Sequence, residues 1–309
     1  MNLLTIITTV YNSFDKMQKY FASLNNQSNK NFDLIIVDDS SKDNSFEKIV
    51  EYINNDEFLS KITRVLKTKA NVGPGGARNL ALPLVDTDYF MFLDSDDYIS
   101  SSAVEGVIND IVNTKSDCII YDTFIVNKNQ QSKRKFCKSY GFIYVKKAFS
   151  AVNTGICSKV YKTSIVKNNN LTFPYTYNAE DMAFNVLYYS ECKSIFHSNK
   201  TFYYYIFEQG SLSNGDIERK RTELNKTIDY LYKADINSLI KCCCIRERVY
   251  LDVLYYVSQG KTNKFIRAKY KQSVSGVKFT EILSVCSFKL KVLFTSLKFG
   301  FFPVLRGML

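Results

Sequence analysis

The chain has 309 residues, 46% of them hydrophobic and 23% charged, the make-up of a globular protein with a sizeable core and length for about two domains. Its net charge of +11 sits wholly in the last third: from Arg219 onward 18 Lys and Arg face 6 Asp and Glu, while the preceding residues nearly balance. No stretch reaches the roughly 18 uncharged apolar residues of a spanning helix. The start Met1-Asn2-Leu3-Leu4 lacks the charged region and cleavage site of a signal peptide. Eight cysteines without a C-x-x-C spacing, beside the single His197, leave little for a zinc site and fit free thiols in a reducing cytoplasm.

Residues 3–10 are β-branched and apolar and predict a first strand. Ser13 is placed to cap a helix in which Met17, Tyr20, Phe21 and Leu24 recur at helical spacing. A second buried strand over 32–37 runs into Asp38-Asp39, and a helix beginning at Asn44 or Ser45 follows, with Phe46, Ile49, Val50 and Ile53 on one face. The pattern continues with a strand at 62–66, a short helix at 75–82 and a strand at 89–93. Beyond it come a helix opening at Ser101 or Ser102, a strand over 118–126 and a basic surface loop over 127–138. Residues 142–202 are mixed, with a helix near 181–190 and His197 as a structural residue inside a strand, and the chain turns helical after about 215. Strands alternating with helices at this interval predict an α/β fold around a mainly parallel sheet covered on both faces.

The densest signal is Tyr89-Phe90-Met91-Phe92-Leu93-Asp94-Ser95-Asp96-Asp97, an apolar strand ending in three carboxylates. Like charges this close oppose one another's ionisation. A hard divalent cation relieves that, and Mg²⁺ takes one or two carboxylates plus water and substrate phosphate. The alternative is an acidic, solvated turn. Three further loops fall at the carboxyl ends of predicted strands: Thr9-Val10-Tyr11-Asn12, Val37-Asp38-Asp39-Ser40-Ser41, and Asn71-Val72-Gly73-Pro74-Gly75-Gly76-Ala77-Arg78-Asn79. Loops at one edge of a parallel sheet converge on one pocket. Carboxylates there accept from a base N–H or a ribose hydroxyl, glycines admit close backbone approach, and Arg78 suits oxyanions. The glycine run matches neither the phosphate loop G-x-x-x-x-G-K-[ST] nor a G-x-G-x-x-G run after the first strand.

In order and spacing these motifs resemble the family 2 glycosyltransferases, nucleotide-sugar enzymes of GT-A fold. The resemblance spans roughly residues 3–213. It takes in T-x-Y-N at Thr9, V-D-D-S-S at Val37, N-x-G-x-x-x-A-R-N at Asn71 and L-D-S-D-D at Leu93. Lys159-Val160-Tyr161, Phe173-Pro174, Glu180-Asp181, Tyr204-Tyr205 and Ser211-Leu212-Ser213 continue it. It implies a GT-A catalytic domain over 1–215, with a nucleotide half over 1–100 and an acceptor half over 101–215, followed by a basic helical region over 216–309. It implies Thr9, Tyr11 and Asp39 on the base and ribose, Arg78 near the diphosphate, and Asp94 and Ser95 on the nucleotide. Asp96 would hold Mn²⁺ or Mg²⁺, with Glu180 and Lys159 as candidates for the acceptor side.

The same resemblance makes Asp181 the general base of an inverting transfer, a role worth roughly 10²–10⁴-fold in rate. Glu180 and Asp181 stand before the apolar Met182, Phe184, Val186 and Leu187, so a helix N-terminus is expected to favour the ionised carboxylate by about 0.3–1 kcal/mol. The reaction implied is transfer of one sugar from a nucleotide sugar, UDP-linked, to a hydroxyl of a saccharide or lipid-linked saccharide in surface-polysaccharide assembly. The chain lacks Trp, so the Q-x-x-R-W motif of the processive synthases of this superfamily is missing, in keeping with one sugar per encounter. A sugar-nucleotide pyrophosphorylase and a catalytically silent GT-A-like scaffold are the alternatives. The basic segment from Phe279, with Lys289, Lys291, Lys298 and Arg306 among apolar clusters, suits either an anionic membrane surface or packing on the catalytic domain. A cytoplasmic protein, peripheral on the inner membrane face if the first holds, is the expectation. Nucleic acid has no supporting motif.

Overall fold

The computed structural model describes residues 2–127, 130–137, 139–150, 155–207, 216–233, 237–284, 286 and 288–299. Ser211-Leu212-Ser213, Arg306 and the cluster at 300–303 lie outside the described residues.

Among the described residues ten strands form one sheet: β1 Leu4–Val10, β2 Phe32–Asp38, β3 Thr63–Lys67, β4 Tyr89–Phe92, β5 Tyr98–Ile99, β6 Cys118–Asn127, β7 Gln130–Arg134, β8 Gly141–Ile143, β9 Lys159–Lys162 and β10 Ile195–Ile206. The order is β3-β2-β1-β4-β9-β6-β10-β5, with β7 on β6 and β8 on β10. The first four strands are mutually parallel, in a register set by Leu4 opposite Phe32 and Tyr89, and Leu34 opposite Thr63. β9 enters antiparallel between β4 and β6, and β6 runs parallel to β10. The α/β, mainly parallel expectation is met.

Period-two alternation gives the sheet two buried faces. Ile6, Leu34, Ile36, Met91 and Leu93 pack with Tyr20, Phe21, Ile49 and Ile53 from the helices Gln18–Asn25 and Ser45–Asn55. Ile7, Ile35, Phe90 and Phe92 face the other way, onto Ala77, Tyr161, Phe173 and Phe184. The same second core continues through Leu224, Ile228, Cys243 and Val249 to Ile282, Leu293, Phe294 and Leu297. The helices Ile217–Lys233 and Ser238–Ser258 pack on the helix Glu180–Glu191, and Phe288–Phe299 packs on Asn263–Ser273, where Phe294 meets Tyr270 edge-on at 5.9 Å.

Three local expectations differ. The basic loop after residue 127 contains β7, paired antiparallel with β6 from Asn127 opposite Gln130 to Thr123 opposite Arg134. All five of its residues are exposed, so it carries no apolar alternation by which to be read as a strand. Ser13 does not cap a helix: its hydroxyl pairs with Ser95, 3.0 Å away, across the two loops. Strand β9, only four residues long, lies within the region whose sequence pattern is mixed. His197 does lie inside a strand, fully buried, with Nε2 2.8 Å from Asp122. The eight cysteines are free thiols.

Candidate functional site

Parallel strands with β1 between β2 and β4 open a crevice beyond their carboxyl ends. The backbone there bends through left-handed residues, Asn12 at φ 49° and Ser40 at φ 56°, a region Asn tolerates better than most side chains. The two loops are tied together: the Asn12 amide donates to Ser41 Oγ at 2.9 Å and the Lys42 amide to Asn12 Oδ1 at 2.8 Å. Asp39 is buried, and its carboxylate accepts from the amides of Val72 (2.9 Å) and Gly73 (2.8 Å) and the hydroxyl of Thr68 (2.9 Å). It therefore holds the start of the helix Gly73–Ala81 in place while facing a cavity of about 400 Å³ lined by Thr9, Val10, Tyr11, Asn71, Pro74, Tyr177 and Arg219.

The glycines earn their positions by close approach. Gly73 has φ +78°, and a Cβ on Gly75 would lie 2.7 Å from the carbonyl oxygen of Pro174 and 3.3 Å from Glu180 Cγ. That contact brings the helix Gly73–Ala81 against the segment leading to Glu180 and Asp181. Asn79 completes the seam, its Nδ2 donating to the Phe173 carbonyl at 2.9 Å and its Oδ1 accepting from the Phe173 amide at 2.8 Å.

At the centre Arg78 is buried against Phe92 and Phe173 and faces three carboxylates. Its Nη1 lies 2.9 Å from Asp181 Oδ1 and 3.2 Å from Glu180 Oε1, and its Nη2 lies 3.5 Å from Asp94 Oδ1. Arg78 thus joins the turn after β4 to the helix Glu180–Glu191, from positions more than eighty residues apart.

The four residues after Leu93 separate. Asp94 is half-buried and accepts from the Cys157 thiol at 3.2 Å. Ser95 is buried, while Asp96 faces solvent. Asp97 turns inward, taking the Tyr203 hydroxyl at 2.6 Å and the Ile206 amide at 2.7 Å. Burial, with Asp94 close by, pushes the Asp97 carboxyl up to about 8 against those two hydrogen bonds. Three carboxylates in the sequence are therefore two on the surface of the site. Among the described residues no three His, Cys, Asp or Glu side chains converge as a cage. Asp94 and Asp96 fit a hard cation that takes one or two carboxylates and completes its shell with water and phosphate.

Two expectations need correction. The helix start does not hold the Asp181 carboxyl low: burial raises it, Arg78 opposing and Asp94 adding to the rise. Glu180 is raised to about 7, by burial and then by Asp181, again with Arg78 opposing. A group partly withdrawn from water pays more for its charge than one helix terminus returns. Lys159 is fully buried, donates to the Gly155 carbonyl, and is lowered to about 8 by desolvation. It stands behind the wall of the site, held to Gly155, which lines that wall. Ala179, just ahead of Glu180, is left-handed at φ +65°, a strained conformation for a residue with a Cβ.

Cys157, Tyr203 and Tyr177 belong to none of the sequence motifs. The first two flank quoted motifs at 159 and 204; for Tyr177 no local pattern signals a role. Its hydroxyl donates to Asn71 Oδ1 at 3.2 Å and its amide to Glu223 at 3.0 Å. A second cavity of about 400 Å³ lies on its far side, lined by Glu180, Asp181, Met182, Lys220, Glu247 and Tyr250. Pro74 and Tyr177 line both cavities.

Comparison with known proteins agrees with this architecture. The chain is 30% identical over 209 residues to a poly(ribitol-phosphate) beta-glucosyltransferase of Bacillus spizizenii, covering 67% of this chain and 32% of that protein. It thus spans about a third of that relative's length. It is 29% identical over 257 residues to UDP-Glc:alpha-D-GlcNAc-diphosphoundecaprenol beta-1,3-glucosyltransferase WfaP of Escherichia coli, covering 79% of this chain and 96% of WfaP. The crystal structure of S. aureus TarS residues 1–349 in complex with UDP-GlcNAc superposes with a TM-score of 0.73 at 21% identity, over 100% of this chain and 90% of that one. That likeness is one of fold, the GT-A fold the motifs imply. The profile of Glycosyl transferase family 2 matches residues 5–166, and the chain belongs to that family.

Proposed function

We propose that the protein transfers a single sugar from a nucleotide sugar, UDP-linked, to a hydroxyl of a saccharide or lipid-linked saccharide in surface-polysaccharide assembly, with inversion. One observation carries the reading: two cavities meet at Pro74 and Tyr177, one holding Asp39 and the other Asp181, with Arg78 bridging the elements behind them. The named activity of WfaP, which this chain matches over nearly its whole length, supports a lipid-linked acceptor. Family membership sets the pyrophosphorylase alternative aside.

In this reading Thr9, Tyr11 and Asp39 receive the nucleoside, and Asp94 and Ser95 face the ribose and diphosphate. Mn²⁺ or Mg²⁺ on Asp96, with Asp94 beside it, would supply positive charge to the departing diphosphate. The acceptor oxygen forms its bond to the anomeric carbon as the bond from that carbon to the phosphate oxygen breaks. The electron pair leaves on the nucleoside diphosphate, and the acceptor proton passes to Asp181. A base whose pKa is raised toward the working pH is better matched to that proton than an ordinary aspartate. Arg78 keeps Asp181 oriented and offsets its charge. Glu180 borders the acceptor-side cavity, and Lys159 supports its wall from within.

Asp181→Asn is expected to keep UDP binding and lose roughly 10²–10⁴-fold in turnover with the true donor and acceptor. Near-normal turnover removes Asp181 from the chemistry. On the C-terminal helices, Lys291, Lys298 and Phe299 are exposed, which suits peripheral contact with the anionic membrane face where a lipid-linked acceptor resides. Cosedimentation with anionic but not neutral vesicles tests that contact.

A further inference from the structure

We infer that Arg219, on the first helix of the basic C-terminal region, binds the diphosphate of the donor, so that a residue outside the α/β sheet completes the donor site. The inference rests on the glycosyltransferase reading above and adds to it a residue no motif marks.

The first argument is position. The donor-side cavity runs from Thr9, Tyr11 and Asp39 to Pro74, Tyr177 and Arg219. The acceptor-side cavity begins at the same Pro74 and Tyr177 and contains Asp181, with Lys220 on its wall. In a nucleotide sugar the two phosphates lie between the nucleoside and the anomeric carbon. A donor with its nucleoside at Asp39 and its anomeric carbon near Asp181 must pass its diphosphate through the junction. Arg219 lines the donor-side cavity next to the junction residue Tyr177, its guanidinium 6.0 Å from the centre of that ring.

The second argument is charge. Asp39 lines the donor-side cavity and Glu180, Asp181 and Glu247 the acceptor-side one, while the guanidinium of Arg78 is taken up by Asp94, Glu180 and Asp181. An anionic diphosphate entering these surroundings needs further positive charge besides a cation. Arg219 is solvent-exposed, and its planar fork matches two phosphate oxygens.

The third argument is that the helix carrying it is fixed against the site. In Ile217–Lys233, Glu223 accepts from the Tyr177 amide at 3.0 Å and the Lys220 carbonyl accepts from Asn178 Nδ2 at 3.4 Å. Thr227 donates to the Asn178 carbonyl at 3.0 Å, and Leu224, Ile228 and Leu231 are buried beneath. The base of the Arg219 side chain is therefore held beside the segment that ends in Asp181.

The test is calorimetric titration of the full chain, with Mn²⁺ present, by UDP, UMP and uridine. Arg219→Ala should weaken UDP by about tenfold and leave uridine unchanged, with UMP between. Arg219→Lys, which keeps the charge without the fork, should recover part of the loss. UDP affinity unchanged by Arg219→Ala overturns the inference, as does an equal loss for uridine, which would make Arg219 a base contact. Wild-type protein that binds no UDP overturns the nucleotide-sugar reading itself, a separate and recognisable failure.

Discussion

Two acidic turns meet on Arg78, one after β4 and one opening the helix Glu180–Glu191, and they hold their charge in different ways. After β4 the acids are dispersed: Asp97 points into the fold onto Tyr203 and Ile206, Asp96 into solvent, and Asp94 toward Arg78. At the helix start Glu180 and Asp181 both close on the same guanidinium nitrogen. In the first turn repulsion is relieved by separation and by holding Asp97 toward its neutral form. In the second it is relieved by a buried counter-charge. The number of carboxylates in a motif is thus a poor guide to the charge of the site it builds.

Removing the counter-charge is the strongest way to break that contrast. Arg78→Met leaves Asp94, Glu180 and Asp181 facing one another without a guanidinium, and a loss of about 3–5 kcal/mol is expected in urea denaturation at pH 7. Part of it should return at pH 5, where buried carboxyls take up protons. Unchanged stability at pH 7 would mean solvent, and not Arg78, neutralises the cluster.

A smaller effect should appear in the pH dependence. Glu180 is raised to about 7 from 4.5, so the folded state favours its protonated form. That contribution is complete below the unfolded value of 4.5 and is lost as pH climbs toward 7. Glu180→Gln should therefore flatten the decline in stability across this window, by on the order of 2 kcal/mol. A slope identical to wild type would place the titration elsewhere.

The smallest change sharpens the geometry of the second turn. Ala179→Gly relieves a left-handed alanine at φ +65° and should gain up to ~1 kcal/mol in thermal melting, with turnover near wild type because Arg78 and the Ile156 amide still hold Asp181. A loss of stability would show that the Ala179 methyl packs more than it strains.

Much of this was legible in the chain. Strands β1, β2 and β4 are β-branched or mostly apolar segments ending in polar turns, and the pairs Ile6 and Ile7, and Met91 and Phe92, predict two buried faces. The elements without a local signal are those whose shape is set by a partner. β7 is polar throughout because it lies on an edge, and β9 is four residues wedged between β4 and β6. Tyr177 matters because of Asn71 and Glu223, residues far from it in sequence.

By itself, then, the sequence determined the parallel α/β order, the loops that end at one edge of the sheet, and the acidic and glycine-rich residue types found there. Those properties follow from periodicity and backbone preference, which are local. Only the tertiary structure decided that Arg78 would face three carboxylates, that Asp97 would leave the surface, that Lys159 would be buried and that Arg219 would reach the donor cavity. Each depends on burial and on charges brought together from distant segments, and neither desolvation nor a through-space ion pair is written in any one stretch of chain.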